Sequence, residues 1–157
     1  NLRVLVLGEH ETDTTNQILD MLKSLPTPIA NVTKYWLKPH PVATQPDLYR
    51  IDSTSVINGQ LSDLINDFEI VVAGTSGAAL DAVLLGSKVV VVVPPSSLNF
   101  SPLRGNAIVK FAYSTQELGD VINSFRMTKS VKHEAQDFFY LNDDLALWRR
   151  VVEVGTG

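Results

Sequence analysis

The sequence predicts a three-layer, doubly wound α/β domain of Rossmann-like type with a mostly parallel sheet. Two observations lead there. Strand-like and helix-like segments alternate along the chain. The strand-like segments are continuous apolar runs, such as KVVVVV at 88–93, with no alternation of polarity. Strands of that kind are buried on both faces, as in a parallel sheet covered by helices.

The elements follow in order. Residues 2–7, LRVLVL, form a first strand ending at Gly8, and a polar loop runs from Glu9 to Asp13. Residues 14–24 carry a helical stripe of Ile18, Leu19, Met21 and Leu22, continued by Leu25. Thr14 or Thr15 caps this helix and Pro26 stops it. Residues 32–37, VTKYWL, are β-branched and aromatic and read as a strand. A short helix is expected at 61–68 and a buried strand at 69–73. Residues 76–86 form a helix with Ser76 as cap and Gly86 as stop. Strands at 88–93 and 107–112 and a helix at 115–125 follow. The tail reads as helical around 130–141 and 143–153. There Leu145, Leu147, Trp148 and Val151 form one apolar face, either core or contact with another domain.

The length of 157 residues suits one domain or half of a larger enzyme. With 45% hydrophobic and 19% charged residues, the chain can bury a core. A net charge of −4 without blocks of like charge argues against non-specific binding to nucleic acid or to an anionic membrane. The absence of cysteine removes disulfides, thiolate zinc sites and cysteine nucleophiles. No apolar run approaches the ~18 residues of a transmembrane helix. The chain opens on a core strand at Asn1, which reads as a domain cut from something longer.

In an open parallel sheet, ligands bind beyond the carboxyl ends of the strands. Four polar loops fall there: Gly8 to Thr15, Lys38 to Thr44, Gly74 to Gly77, and Pro94 to Arg104. In the third, Gly74 turns the chain out of its strand, and Thr75 and Ser76 offer hydroxyls. Gly77 leaves its N–H open to an anion. A helix start has unpaired donors and partial positive charge, which suits phosphate. The same residues also fit an ordinary Ser-capped helix packed on the sheet. Asp81, one turn on, fits either a ribose hydroxyl or a solvated stripe favoured by the helix dipole.

The second loop is stiff. Lys38 and His40 each precede a proline, and residues before proline are held extended. Each proline also fixes its own φ. His40 can donate to a phosphate oxygen and Lys38 can add charge; alone, the segment also fits a strand exit with a surface histidine. His10 lies among Glu9, Glu11 and Asp13, but the spacing matches no metal-ligand pattern. His133 reads as a solvated helix residue. In the long polar fourth loop Ser96, Ser97, Asn99 and Arg104 are placed to reach a ligand, and the same loop also fits plain surface. Thr14, Asp81, Asn99 and Arg104 complete the candidate nucleotide contacts. The chain has no GxxxxGK[ST], GxGxxG or GxSxG motif.

Lys38-Pro39-His40-Pro41, followed later by Thr75-Ser76 at a helix start, resembles the donor-binding C-terminal half of GT-B glycosyltransferases of bacterial surface polysaccharide synthesis. The likeness is to the polysialyltransferase and Kdo-transferase groups, which use CMP-activated sugars. It implies that Lys38, His40, Thr75, Ser76 and Gly77 bind the donor phosphate. The Leu-Trp-Arg segment at 145–150 is similar to the end of such enzymes. It further implies an N-terminal acceptor domain of the same protein, which carries the catalytic acid or base. No metal and no cofactor beyond the nucleotide-sugar are implied. The location implied is cytoplasmic, peripheral to the inner membrane through the full-length protein. CDP-glycerol glycerophosphotransferases share a similar layout, and a non-catalytic Rossmann-like binding module is the reading from another class.

Overall fold

In the computed structural model, which describes residues 1–95 and 97–128, the apolar runs pair into one sheet. Its strands are β1 (Leu2–Leu7), β2 (Thr33–Lys38), β3 (Ile70–Ala73), β4 (Lys88–Val92) and β5 (Lys110–Ala112). Their order is β2-β1-β3-β4-β5, and every pairing among the described residues is parallel. The helices are α1 (Thr12–Lys23), α2 (Thr27–Ala30), α3 (Leu61–Leu64), α4 (Ala78–Leu84) and α5 (Thr115–Arg126). The arrangement is the three-layer Rossmann-like α/β fold that the sequence predicts.

Successive strand residues point to opposite faces, and both faces are covered. Val4, Val6, Val72, Val90 and Val92 pack with Ile18, Leu22, Leu118 and Ile122 of α1 and α5. Leu5, Leu7, Val71, Val89 and Val91 pack with Ala79, Ala82 and Val83 of α4. This is why the strands lack polar alternation. At the outer edge of β2, Val56 forms a parallel bridge to Leu37, and the Ile57 N–H donates to the Leu37 carbonyl at 2.8 Å. In a mononucleotide-binding half the third strand flanks the second at this place. Among the described residues no strand lies there, only this bridge, and the order 2-1-3-4-5 is the other common doubly wound one.

Several boundaries differ from expectation. The first helix starts at Thr12 with Glu11 as its cap residue, because Thr15 is engaged elsewhere: its hydroxyl accepts from the Glu9 N–H at 2.9 Å. After Pro26 the chain adds the short helix α2. The expected helix at 61–68 is α3 followed by a 3-10 turn, Ile65–Asp67. The cap of α4 is Gly77, not Ser76, whose hydroxyl is drawn to a carboxylate. Gly86 does stop that helix. The Gly86 N–H donates to the Val83 carbonyl at 2.9 Å, and its φ of 88° turns the chain so that the Ser87 N–H reaches the Ala82 carbonyl at 3.1 Å. The strand expected at 107–112 pairs only over Lys110–Ala112. Between β4 and β5 the described residues form no helix; Leu103 and Val109 are buried there instead. Helix α5 is capped reciprocally: Ser114 accepts from the Glu117 N–H at 3.2 Å, and the Glu117 carboxylate accepts from the Tyr113 N–H at 2.7 Å. Ser96, His133, the two tail helices and the Leu-Trp-Arg segment lie outside the described residues.

Candidate functional site

The chain leaves β1 toward β2 on one side and returns to β3 on the other. The crevice between the carboxyl ends of β1 and β3 is therefore the switch point of the sheet. Glu9 fills it. Its side chain is nearly buried, at 8% exposure. Oε1 accepts from the Gly74 N–H at 3.0 Å and from the Ser76 hydroxyl at 2.9 Å. A carboxylate thus stands beside the residues expected to meet a phosphate, and like charges repel at such range.

Lys38 and His40 are set by a second tight approach. The Gly8 N–H donates to the Lys38 carbonyl at 2.9 Å, carrying the β1–β2 pairing past the strand ends. A Cβ on Gly8 would lie 2.9 Å from the His40 nitrogen, so the approach needs glycine. Beyond it the Ala43 N–H donates to the His40 carbonyl at 3.1 Å, a turn with Pro41 in its second position. The Val42 N–H donates to His40 Nδ1 at 3.3 Å. That bond assigns the proton of the neutral imidazole to Nε2. The ring meets His10 edge-on, with centroids 5.8 Å apart. The Thr44 N–H donates to the His10 carbonyl at 3.0 Å, and the Gln45 N–H to the Thr12 hydroxyl at 3.0 Å, which ties the turn to the loop after β1.

Residues 39–58 wrap around the edge of β2. Tyr49 and Ile51 pack against the α1 and α5 core, and Ile57 packs on the opposite face. Asn16, at 4% exposure, pins this wrap to α1. Its amide donates to the Leu48 carbonyl at 3.0 Å and accepts from the Arg50 N–H at 2.7 Å. Arg50 also pairs with Asp20 at 2.9 Å, and Lys23 donates to the Arg50 carbonyl. Between the wrap and the end of β2 lies a cleft of ≈ 670 Å³, lined by Lys38 and His40 from the end of β2 and by Asp47, Tyr49, Ser53 and Asn58 from the wrap. That volume is in the range of small-molecule sites, roughly 300–1,000 Å³. The Tyr49 hydroxyl is buried without a hydrogen-bond partner among the described residues. Burial raises its pKa; the neighbouring His40 backbone opposes the rise but falls short of hydrogen-bond geometry.

The other expected contacts lie apart from this cleft. Thr14 and Thr75 line a smaller hollow of ≈ 230 Å³ with Pro94, Ser97 and Phe100. Asn99 donates to the Tyr113 hydroxyl at 3.1 Å, and Arg104 donates to the Asn99 carbonyl at 3.1 Å, so both residues hold their own loop. Asp81 is exposed in the first turn of α4, and Gly77 precedes that helix. His10 Nδ1 and Glu11 are 3.1 Å apart, both well exposed. Among the described residues no group of three or more His, Asp or Glu side chains is placed to hold a metal. Nor is any helix there long and apolar enough to cross a membrane. Sequence reasoning missed Glu9 as a buried group, Asn16, and the far wall of the cleft. For Asn16 a signal exists: with Thr15 it continues the buried stripe of α1, three and four residues before Leu19.

Compared with protein-family models, curated proteins and solved structures, the chain matches none.

Proposed function

We propose that this chain is the donor-binding half of a glycosyltransferase acting in cell-surface polysaccharide synthesis, with a CMP-type nucleotide-sugar as donor. The observation that carries the reading is the meeting of Lys38 and His40 in one cleft past the carboxyl end of β2. Stiff flanking prolines hold both residues, and the Val42 bond turns His40 Nε2 into a donor. Lys38 and His40 seat the donor phosphate and stabilise the charge of the departing nucleotide. The acid or base that activates the acceptor comes from an N-terminal domain of the same protein. Closure of the two domains aligns the attacking hydroxyl.

Titration of the isotope-labelled chain with CMP to millimolar concentration tests this. The His40 imidazole and Lys38 amide signals should move in a saturable way. Signals that stay still across the titration would reject the donor-binding reading.

A further inference from the structure

Resting on the donor-binding reading, the cleft under the wrap has a far wall that the reading leaves unassigned. Among the described residues, the side chains of Asp47, Ser53 and Asn58 make no hydrogen bond or ion pair, and neither does Lys38. Asp47, Ser53 and Asn58 are all exposed. The cleft therefore presents a cation, a carboxylate, a hydroxyl and an amide with their bonding capacity free. Among the lining residues Pro39, Pro46, Ile51, Val56 and the Tyr49 ring supply apolar surface. Prolines and an aromatic ring give apolar surface on which a planar base can lie. The alternative place for a nucleoside, the crevice between β1 and β3, holds the Glu9 carboxylate.

We infer that the nucleoside of the ligand lies in this cleft, and that Asp47 selects a base carrying an exocyclic amine. A carboxylate is acceptor-only when ionised. It can pair with the amine of cytosine but meets the carbonyl of uracil with a lone pair. A site that leaves polar groups unmatched discriminates strongly against the wrong ligand. Ser53 and Asn58 supply a hydroxyl and an amide for the ribose. The phosphate extends to Lys38 and His40 at the mouth.

The test compares CMP, UMP and inorganic phosphate on the wild-type chain and on the Asp47→Asn and Ser53→Ala/Asn58→Ala variants, with NMR shifts and isothermal titration as readouts. All three changes are on exposed side chains, and the dispersed amide spectrum checks that each variant folds. CMP should shift the Ser53 and Asn58 amides and bind about tenfold tighter than UMP. Asp47→Asn should erase that preference, and the double variant should weaken CMP about tenfold while phosphate still moves His40. CMP shifts at His40 together with Thr14 and Thr75, with Ser53 and Asn58 unmoved, would overturn the cleft inference and leave the donor-binding reading standing. Equal binding of CMP and UMP, unaltered in Asp47→Asn, would overturn the role of Asp47. Shifts at Ser53 and Asn58 without any at His40 would support the nucleoside cleft and reject the phosphate seat.

Discussion

Glu9 and Gly74 lock together across the switch point of the sheet. The Gly74 N–H donates to Glu9 Oε1 at 3.0 Å, and a methyl group on Gly74 would sit 2.6 Å from that oxygen. The carboxylate thus serves as the anion for the loop before α4, and Ser76 completes its shell. The Glu9 carboxylate takes up part of the crevice that usually receives a ligand in this fold. The open cleft is displaced outward to the edge of β2.

Replacing Glu9 with Ala leaves the Gly74 N–H and the Ser76 hydroxyl without their acceptor. The expected loss is about 1–3 kcal/mol of folding stability. Glu9→Gln keeps one acceptor oxygen in place, so it should cost less than Glu9→Ala. Urea unfolding of the three proteins measures the order. Equal stability of Glu9→Ala and wild type would show that water satisfies these donors as well as the carboxylate does.

Gly8→Ala acts on the other tight approach. The new Cβ would meet the His40 backbone nitrogen at 2.9 Å and the Lys38 carbonyl oxygen at 3.2 Å. Backbone cannot swing aside as a side chain can, so the Lys38–His40 segment must shift. Overpacking of this kind costs about 1–3 kcal/mol. The shift should also break the Val42 to His40 Nδ1 bond, which long-range proton–nitrogen spectra of the imidazole read directly. A variant with the wild-type His40 tautomer pattern and unchanged CMP affinity would show that the close approach does not set the cleft.

The fold was legible because burial writes itself into short stretches. VVVV at 89–92 has no polar position, and only a strand covered on both faces tolerates that. Gly86 was legible as a stop because a left-handed residue after a helix favours glycine. The contacts that build the site were not, because they join residues far apart through single hydrogen bonds. Glu9 and Gly74 are 65 positions apart, and Asn16 and Arg50 are 34 apart. No local period encodes such a pair. Ser76 shows the consequence: its local pattern reads as a helix cap, but a carboxylate from another strand end competes for the hydroxyl and wins.

Asn16→Ala should loosen the wrap without unfolding the sheet. The substitution removes the donor to the Leu48 carbonyl and the acceptor of the Arg50 N–H, while the Arg50–Asp20 pair remains. Two bonds of this type are worth about 1–3 kcal/mol together. Hydrogen exchange at the Arg50 amide should speed up, whereas amides of β1 and β3 should keep their protection relative to global stability. CMP affinity should fall with it, since the far wall of the cleft rides on the wrap. Unchanged exchange at Arg50 would mean that the Asp20 and Lys23 contacts of Arg50, with Tyr49 and Ile51 packing, hold the segment without Asn16.

Burial raises the pKa of Tyr35 above its ordinary 10.0, with the Asp20 charge adding to the rise, and burial likewise raises that of Tyr49. Below about pH 10 both phenols are neutral in the folded and unfolded states, and their contribution to stability is complete. Above it the unfolded chain loses these protons first. It then binds fewer protons than the folded chain, so stability falls as pH climbs through the folded-state values. Tyr49→Phe removes one of the two groups and also the buried hydroxyl that lacks a partner. At neutral pH the variant should therefore be as stable as wild type or more stable, by up to about 1 kcal/mol. Its alkaline loss of stability should be shallower, with Tyr35→Phe as the matching comparison. Urea unfolding at neutral pH and near pH 11 tests both parts, and an alkaline slope identical to wild type would place the Tyr49 phenol in contact with solvent.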